Sequence, residues 1–163
     1  MDPAISSPPS TPAFIHSLTS ICLISYRDDL DIQTALMLLA PMTQLDTLAV
    51  FTVQHDIKES VFLEAVTRHV PRIEVVVLRQ VNLMAAQISQ GDILEIATSL
   101  EKLPRLRILD LGVNVEAEHD DVATIKLWSG ACKSVSSIVL HGRVWERMND
   151  RWTNCALLPA SYV

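Results

Sequence analysis

The sequence predicts an α/β solenoid of about five strand–helix units with parallel strands, closed by a C-terminal β-hairpin. Three observations predict it. One apolar spacing recurs five times, helical segments led by aspartate separate the recurrences, and a tryptophan-containing alternation follows the last of them.

The spacing is clearest in "LEKLPRLRILDLGVN", residues 100–114, where Leu103, Leu106, Leu109 and Leu111 lead to Asn114. Ile15, Leu18, Ile21 and Leu23 fit it, as do Met42, Leu45, Leu48 and Val50. Val70, Ile73, Val76 and Leu78 give a third match, and Cys132, Val135, Ile138 and Leu140 a fifth. The matches step by 27, 28, 33 and 29 residues. One match in so apolar a chain is easily accidental; five at near-constant spacing indicate a repeat.

Between the matches, "DIQTALMLLAPM", "DIKESVFLEAVTRHV", "DILEIATSLEKL" and "DVATIKLWSGAC" carry apolar residues at helical spacing. Each opens with an aspartate: Asp31, Asp56, Asp92 and Asp121. A carboxylate there accepts a hydrogen bond from the first turn and complements the positive end of the helix dipole. The unit is therefore strand, loop, helix, at the period of leucine-rich repeats that carry a helix in each turn. A connection of this length accommodates a crossover between parallel strands, and no unit buries its apolar face without a neighbour.

Composition narrows the function. A chain of 163 residues supports one domain with a core. Its residues are 49% hydrophobic and 20% charged, which is a packed chain rather than a disordered one. The net charge of −6 and the scatter of 13 basic residues argue against nucleic acid as a partner. The longest strongly apolar stretch, "TALMLLAPM" (34–42), contains a proline and is too short to span a bilayer, so no membrane association is expected. "MDPAISSPPSTPAF" reads as a flexible leader over 1–14, without the basic and apolar regions of a secretory signal. Cys22, Cys132 and Cys155 are too widely spaced for a disulfide scaffold or a metal motif. Reduced thiols and an intracellular location, cytoplasmic or nuclear, follow as expectations.

Site chemistry is sparse. His16, His55, His69, His119 and His141 form no metal-ligand spacing, and four glycines leave no phosphate-binding loop. No metal, cofactor or catalytic residue is expected. "RDDLD" (27–31) and "EHDD" (118–121) follow strands at the ends where open α/β sheets gather ligands. They support an alternative, a small α/β enzyme using Asp28, Asp29, Asp120 or Asp121. Helix capping by Asp31 and Asp121, with Asp29 and Asp120 solvated, explains the same residues without catalysis.

Two stretches, "LPRLRILDLGVN" (103–114) and "ACKSVSSIVLHGRVWERMNDRWTNC" (131–155), resemble the leucine-rich-repeat portion of F-box proteins of mushroom-forming fungi. The likeness covers roughly residues 15 to 155. It implies a substrate-recognition role of the ubiquitin-ligase receptor type. No F-box segment is seen ahead of Ile15, so on this resemblance the expectation is a receptor-like half without its docking half, with a ligase adaptor a doubtful partner. Only the fourth repeat has the asparagine; Tyr26, Val53, Val81 and Arg143 stand at the equivalent places, so the solenoid is expected to be irregular.

The expected organisation is a leader over 1–14, a repeat domain over 15–143, and a hairpin cap with tail over 144–163. The hairpin turns at Asn149–Asp150, and Trp145 and Trp152 cover the open end of the core. Since side chains alternate along strands, the residues between the leucines face the concave side. That face is apolar at its centre, through Ile24, Ala49, Phe51, Val75, Val77 and Ile108. Phe51, Val75, Val77, Arg79, Ile108, Asp110 and His141 are the expected contacts to a protein partner. The alternative for this face is cover by the leader or by "CALLPASYV" (155–163), or a sheet buried on both sides.

Overall fold

The structure, a computed structural model, describes residues 17–25, 31–53, 57–80, 87–112, 114–115 and 120–157. The elements run β1 (Ser20–Ser25), α1 (Ile32–Leu39), β2 (Thr47–Thr52), α2 (Glu59–His69), β3 (Val75–Gln80), β4 (Gln87–Ile88) and α3 (Gln90–Leu100). They continue through β5 (Ile108–Asp110), β6 (Asn114–Val115), α4 (Asp121–Ala131), β7 (Ser137–Leu140), β8 (Arg143–Met148) and β9 (Arg151–Leu157). Among them, β1, β2, β3, β5, β7, β8 and β9 form one seven-stranded sheet in that order. Its first five strands are parallel and alternate with helices, and β8 and β9 add antiparallel pairings. The fold is α/β and the sheet is open. Among the described residues no helix is long and apolar enough to cross a membrane.

The recurring spacing has a backbone cause. Each helix ends in a tight turn in which the N–H of the second apolar residue donates to the carbonyl of the first. The bonds are Leu45 to Met42, Ile73 to Val70, Leu106 to Leu103 and Val135 to Cys132. The next residue then links neighbouring units. The Thr19 carbonyl accepts from the N–H groups of Asp46 and Thr47, Asp46 from Glu74 and Val75, Glu74 from Arg107 and Ile108, and Arg107 from Ser136 and Ser137, all at 2.7–3.1 Å. Matching positions of successive units are thereby placed side by side.

The core is the set of recurring apolar residues. Leu48, Val50, Val76, Leu78, Leu109, Leu111, Ile138 and Leu140 are buried against the helix residues Leu36, Phe62, Leu63, Ile96 and Ile125. Ile21 and Leu23, on the edge strand β1, are partly buried. Ile15 lies outside the described residues. α1 packs on α2, α2 on α3, and α3 on α4. Trp128 of α4 is fully buried, and its Nε1 donates to the Ile93 carbonyl at 3.0 Å. Cys132 occupies a leucine position, with its Sγ 3.2 Å from the Leu103 carbonyl. All three cysteines are unbonded to one another.

The aspartates act at helix starts less uniformly than their spacing predicts. Asp31 caps α1 by accepting from the N–H groups of Gln33 and Thr34. Asp92 is not the cap of α3. Ser89 is, and Asp92 returns the bond from inside the first turn, since one extra residue lets the pair satisfy two free N–H groups. Asp121 is not the cap of α4; Asp120 is, accepting from Val122 at 2.9 Å. Asp120 is exposed, as expected, and is also the capping residue. Lys58 precedes α2 without a side-chain bond, and Asp56 lies outside the described residues.

β8 and β9 form the hairpin expected at the C-terminus, turning at Asn149 (φ 49°) and Asp150 (φ 62°). A second two-residue turn, His141 (φ 52°) and Gly142 (φ 66°), joins β7 to β8. Left-handed conformations at both central residues match the twist of the flanking strands. Trp145 and Trp152 are half-buried against the core, as expected of covering residues. The short pair β4–β6, which includes Asn114, has no sequence signature in the repeat spacing.

Adjacent residues on β5 test the two faces. Leu109 is 1% exposed and Ile108 38%. Leu109→Ala is expected to cost about 3 kcal/mol in chemical denaturation, the usual range for a leucine cavity. Ile108→Ala is expected to cost under about 1 kcal/mol.

Candidate functional site

The face of the sheet opposite the helices is organised in transverse rows, because the strands pair residue for residue. Ser20, Thr47, Val75, Ile108 and Ser137 make one row. Cys22, Ala49, Val77, Asp110 and Val139 make the next, and Ile24, Phe51 and Arg79 the third. Six of the seven expected contact residues are thus brought together across β2, β3 and β5. Phe51 lies beside Arg79, Val77 beside Asp110, and Val75 beside Ile108. Phe51, Val75, Val77 and Arg79 are half-buried, while Ile24 at 58% and Ile108 at 38% are exposed. The sheet is therefore not buried on both faces at these positions. The leader up to residue 16 and the tail from 158 lie outside the described residues.

Asp110 stands on the expected face but is closed off from solvent, only 7% exposed. Arg79 Nη2 donates to its Oδ2 at 2.6 Å, and the Gly112 N–H donates to Oδ1 at 3.0 Å. Burial pushes the Asp110 carboxyl up from the ordinary aspartate value, and the Arg79 guanidinium pulls it back down. Gly112 makes this arrangement possible. At φ 62° a side chain is strained, and a Cβ would lie 3.1 Å from both Arg79 Cδ and the Leu78 carbonyl oxygen. Val139 is also buried, at 8%, so the apolar centre closes toward β7 and opens toward β1.

His141 does not join the group. It occupies the β7–β8 turn, and its Nδ1 lies 2.8 Å from Asp121 Oδ1. That pairing is the role of Asp121. Asp120 accepts the capping bond from the Val122 N–H through Oδ1, and Asp121 faces His141. Asp28 and Asp29 lie outside the described residues.

One site residue escaped the sequence reading. Glu59, in the first turn of α2, is 7% exposed, and Gln80 Nε2 donates to its Oε1 at 3.1 Å and to the Ile57 carbonyl at 2.8 Å. Gln80 ends β3, so this bond ties the strand carrying Val77 and Arg79 to the start of α2, the helix that precedes it. Burial raises the Glu59 carboxyl above the ordinary glutamate value, and Asp92 adds repulsion. A surface-type Glu at a helix start gives no local signal of burial.

Two outcomes follow. The native state holds the Glu59 proton more tightly than the unfolded chain, so stability falls as pH rises from the ordinary value of 4.5 through the raised native value. Glu59→Gln keeps the acceptor for Gln80. It is expected to be more stable than the parent at pH 7, with the difference vanishing below pH 4.5 in urea titrations. Arg79→Ala leaves Asp110 buried without its cation. A loss of about 2 kcal/mol is expected at pH 7, below the range for a fully enclosed pair because the Arg79 side chain is 34% exposed. The variant's stability is expected to fall more steeply than the parent's as pH rises above 3.8, since protonated Asp110 needs no partner.

In comparisons with family models, with curated proteins and with solved structures, nothing matches this chain.

Proposed function

We propose that the chain is a non-enzymatic protein-interaction module that holds a protein partner on the sheet face opposite its helices. The contact is centred on Phe51, Val77, Arg79 and Ile108, with Val75 at its border. The single observation that carries this is the in-register apolar row structure, exposed at Ile24 and Ile108 and bounded by a fixed Arg79–Asp110 pair. Contiguous exposed apolar surface on a folded domain marks interaction sites, and a charged pair held rigid at its border supplies orientation. Asp110 acts through Arg79 in this reading, as a positioning residue, and His141 is set aside.

The architecture is assigned to a short leucine-rich-repeat solenoid, with the sheet face as its concave side. The near-constant period, the equivalent turns and the residue-for-residue strand register support that assignment. The resemblance to F-box receptors then suggests substrate recognition as the kind of partner contact involved. The aspartate-based enzyme is the weaker reading, because Asp120 and Asp121 are already engaged in a cap and in the pair with His141.

Affinity capture with mass spectrometry tests the proposal. Partners retained by the parent are expected to be lost from Phe51→Ala and Val77→Asp, by about tenfold or more in recovered amount, as for the buried anchors of an interface. Thermal denaturation checks that both variants fold. Folded variants that keep every partner would show the surface assignment to be wrong. Recovery of a ligase adaptor with the parent chain would add the ubiquitin link.

A further inference from the structure

The helix layer stops before the sheet does. α1 to α4 pack in series behind the parallel strands, but β8 and β9 extend the sheet beyond α4. Among the described residues no helix backs them. A groove of about 650 Å³ lies there, walled by α4 on one side and the hairpin on the other. Its lining is cationic: Lys126 and Lys133 at one wall, Arg147 and Arg151 at the other, with Asp150 the one carboxylate. Among the described residues, no carboxylate lies within 4.0 Å of any of the four cations. Lys126, Lys133 and Arg151 are exposed, and Arg147 is oriented by donating to the Lys133 carbonyl at 2.8 Å. Trp152 and Val122 supply apolar surface between the charges.

We infer that this slot receives an acidic amphipathic helix of a protein partner, seated beside α4 where the next helix of the series would stand. The helix would lay its apolar stripe on Trp152 and Val122 and its carboxylates against the four cations. Charge complementarity selects an acidic occupant, because four cations line the groove against the single carboxylate of Asp150, a local positive excess in a chain of net charge −6. The packing series selects a helix, because α1, α2 and α3 each pack on the next helix while α4, among the described residues, has no helix beyond it and lines the groove there instead. The groove is separate from the sheet face, so each binding surface stands or falls without the other.

The test is a fluorescence-anisotropy titration of the full chain against a labelled synthetic peptide of about 18 residues, roughly five helical turns. Its leucines are spaced for one helical stripe and its other positions are mainly glutamate. The comparators are a shuffled peptide of the same composition and a single-stranded oligothymidylate. The expected result is saturable binding of the designed peptide that weakens as salt is raised. Lys126→Glu with Arg151→Glu is expected to weaken it about tenfold, and the milder pair Lys126→Gln with Arg151→Gln to a smaller extent. Circular dichroism checks the fold of both pairs. Failure of the designed peptide to bind, or affinity unchanged in both folded pairs, would overturn the inference. So would a shuffled peptide that binds as tightly, or DNA that binds more tightly. Self-association in sedimentation that the glutamate pair abolishes would give the slot to a second copy of the chain and would overturn it as well.

Discussion

The structure depends on one recurring interaction, a carbonyl that accepts two N–H groups from the next unit. Thr19, Asp46, Glu74 and Arg107 hold this position in turn, each just after the second apolar residue of its unit. A net bond of this kind contributes about 1 kcal/mol, so its importance lies in register more than in energy. It fixes where each strand begins relative to its neighbour. A slip of one residue would turn every leucine of a strand toward the open face. With the start fixed, Leu48, Val76, Leu109 and Ile138 meet the helices, and Thr47, Val75, Ile108 and Ser137 align on the other side.

The same constraint shapes the open face. Register makes rows, and rows make a patch from residues that are about thirty positions apart in the chain, the repeat period. Arg79 and Asp110 are neighbours because their strands are aligned, although the paired register of β3 and β5 extends only to Val77 and Asp110. Arg79 reaches Asp110 from two residues beyond Asp110's strand partner Val77, over Gly112, where a Cβ would crowd its side chain. Geometry of the chain return after β5 thus decides whether Asp110 faces solvent or a cation. Burial follows from that return rather than from the strand pattern.

The leucine positions were legible because apolar spacing reports directly on which side of a strand or helix is dry. Cys132 was legible in the same way, since a small apolar thiol fills the place of a leucine. The helix starts were legible to within a few residues. Asp92 and Asp120 both serve helix starts, but capping depends on where backbone dihedrals change, which composition does not reveal. Trp128 and Glu59 were not legible as buried residues. Their environments are made by segments 35 and 21 residues away, the Ile93 carbonyl and Gln80. The basic groove was hidden for the same reason. Lys126, Lys133, Arg147 and Arg151 look scattered along the chain and converge only when the hairpin folds back beside α4.

The hairpin explains why that groove exists at all. A parallel strand must be reached by a crossover of a dozen or more residues, which brings a helix with it. A strand reached through two residues brings none. His141–Gly142 and Asn149–Asp150 are both two-residue connections with left-handed backbone, so β8 and β9 arrive without helices of their own. The last bond of the ladder marks the change. The Ser136 carbonyl accepts from the Arg147 N–H, from an antiparallel strand, where each earlier carbonyl in the ladder served a parallel one. Covering the exposed end of the core then falls to side chains broad enough to act without a helix behind them, and Trp145 and Trp152 occupy that place. Ending the sheet in this way protects β7 from pairing with other chains. It also leaves the flank of α4 facing a slot that the preceding repeats would have filled with a helix.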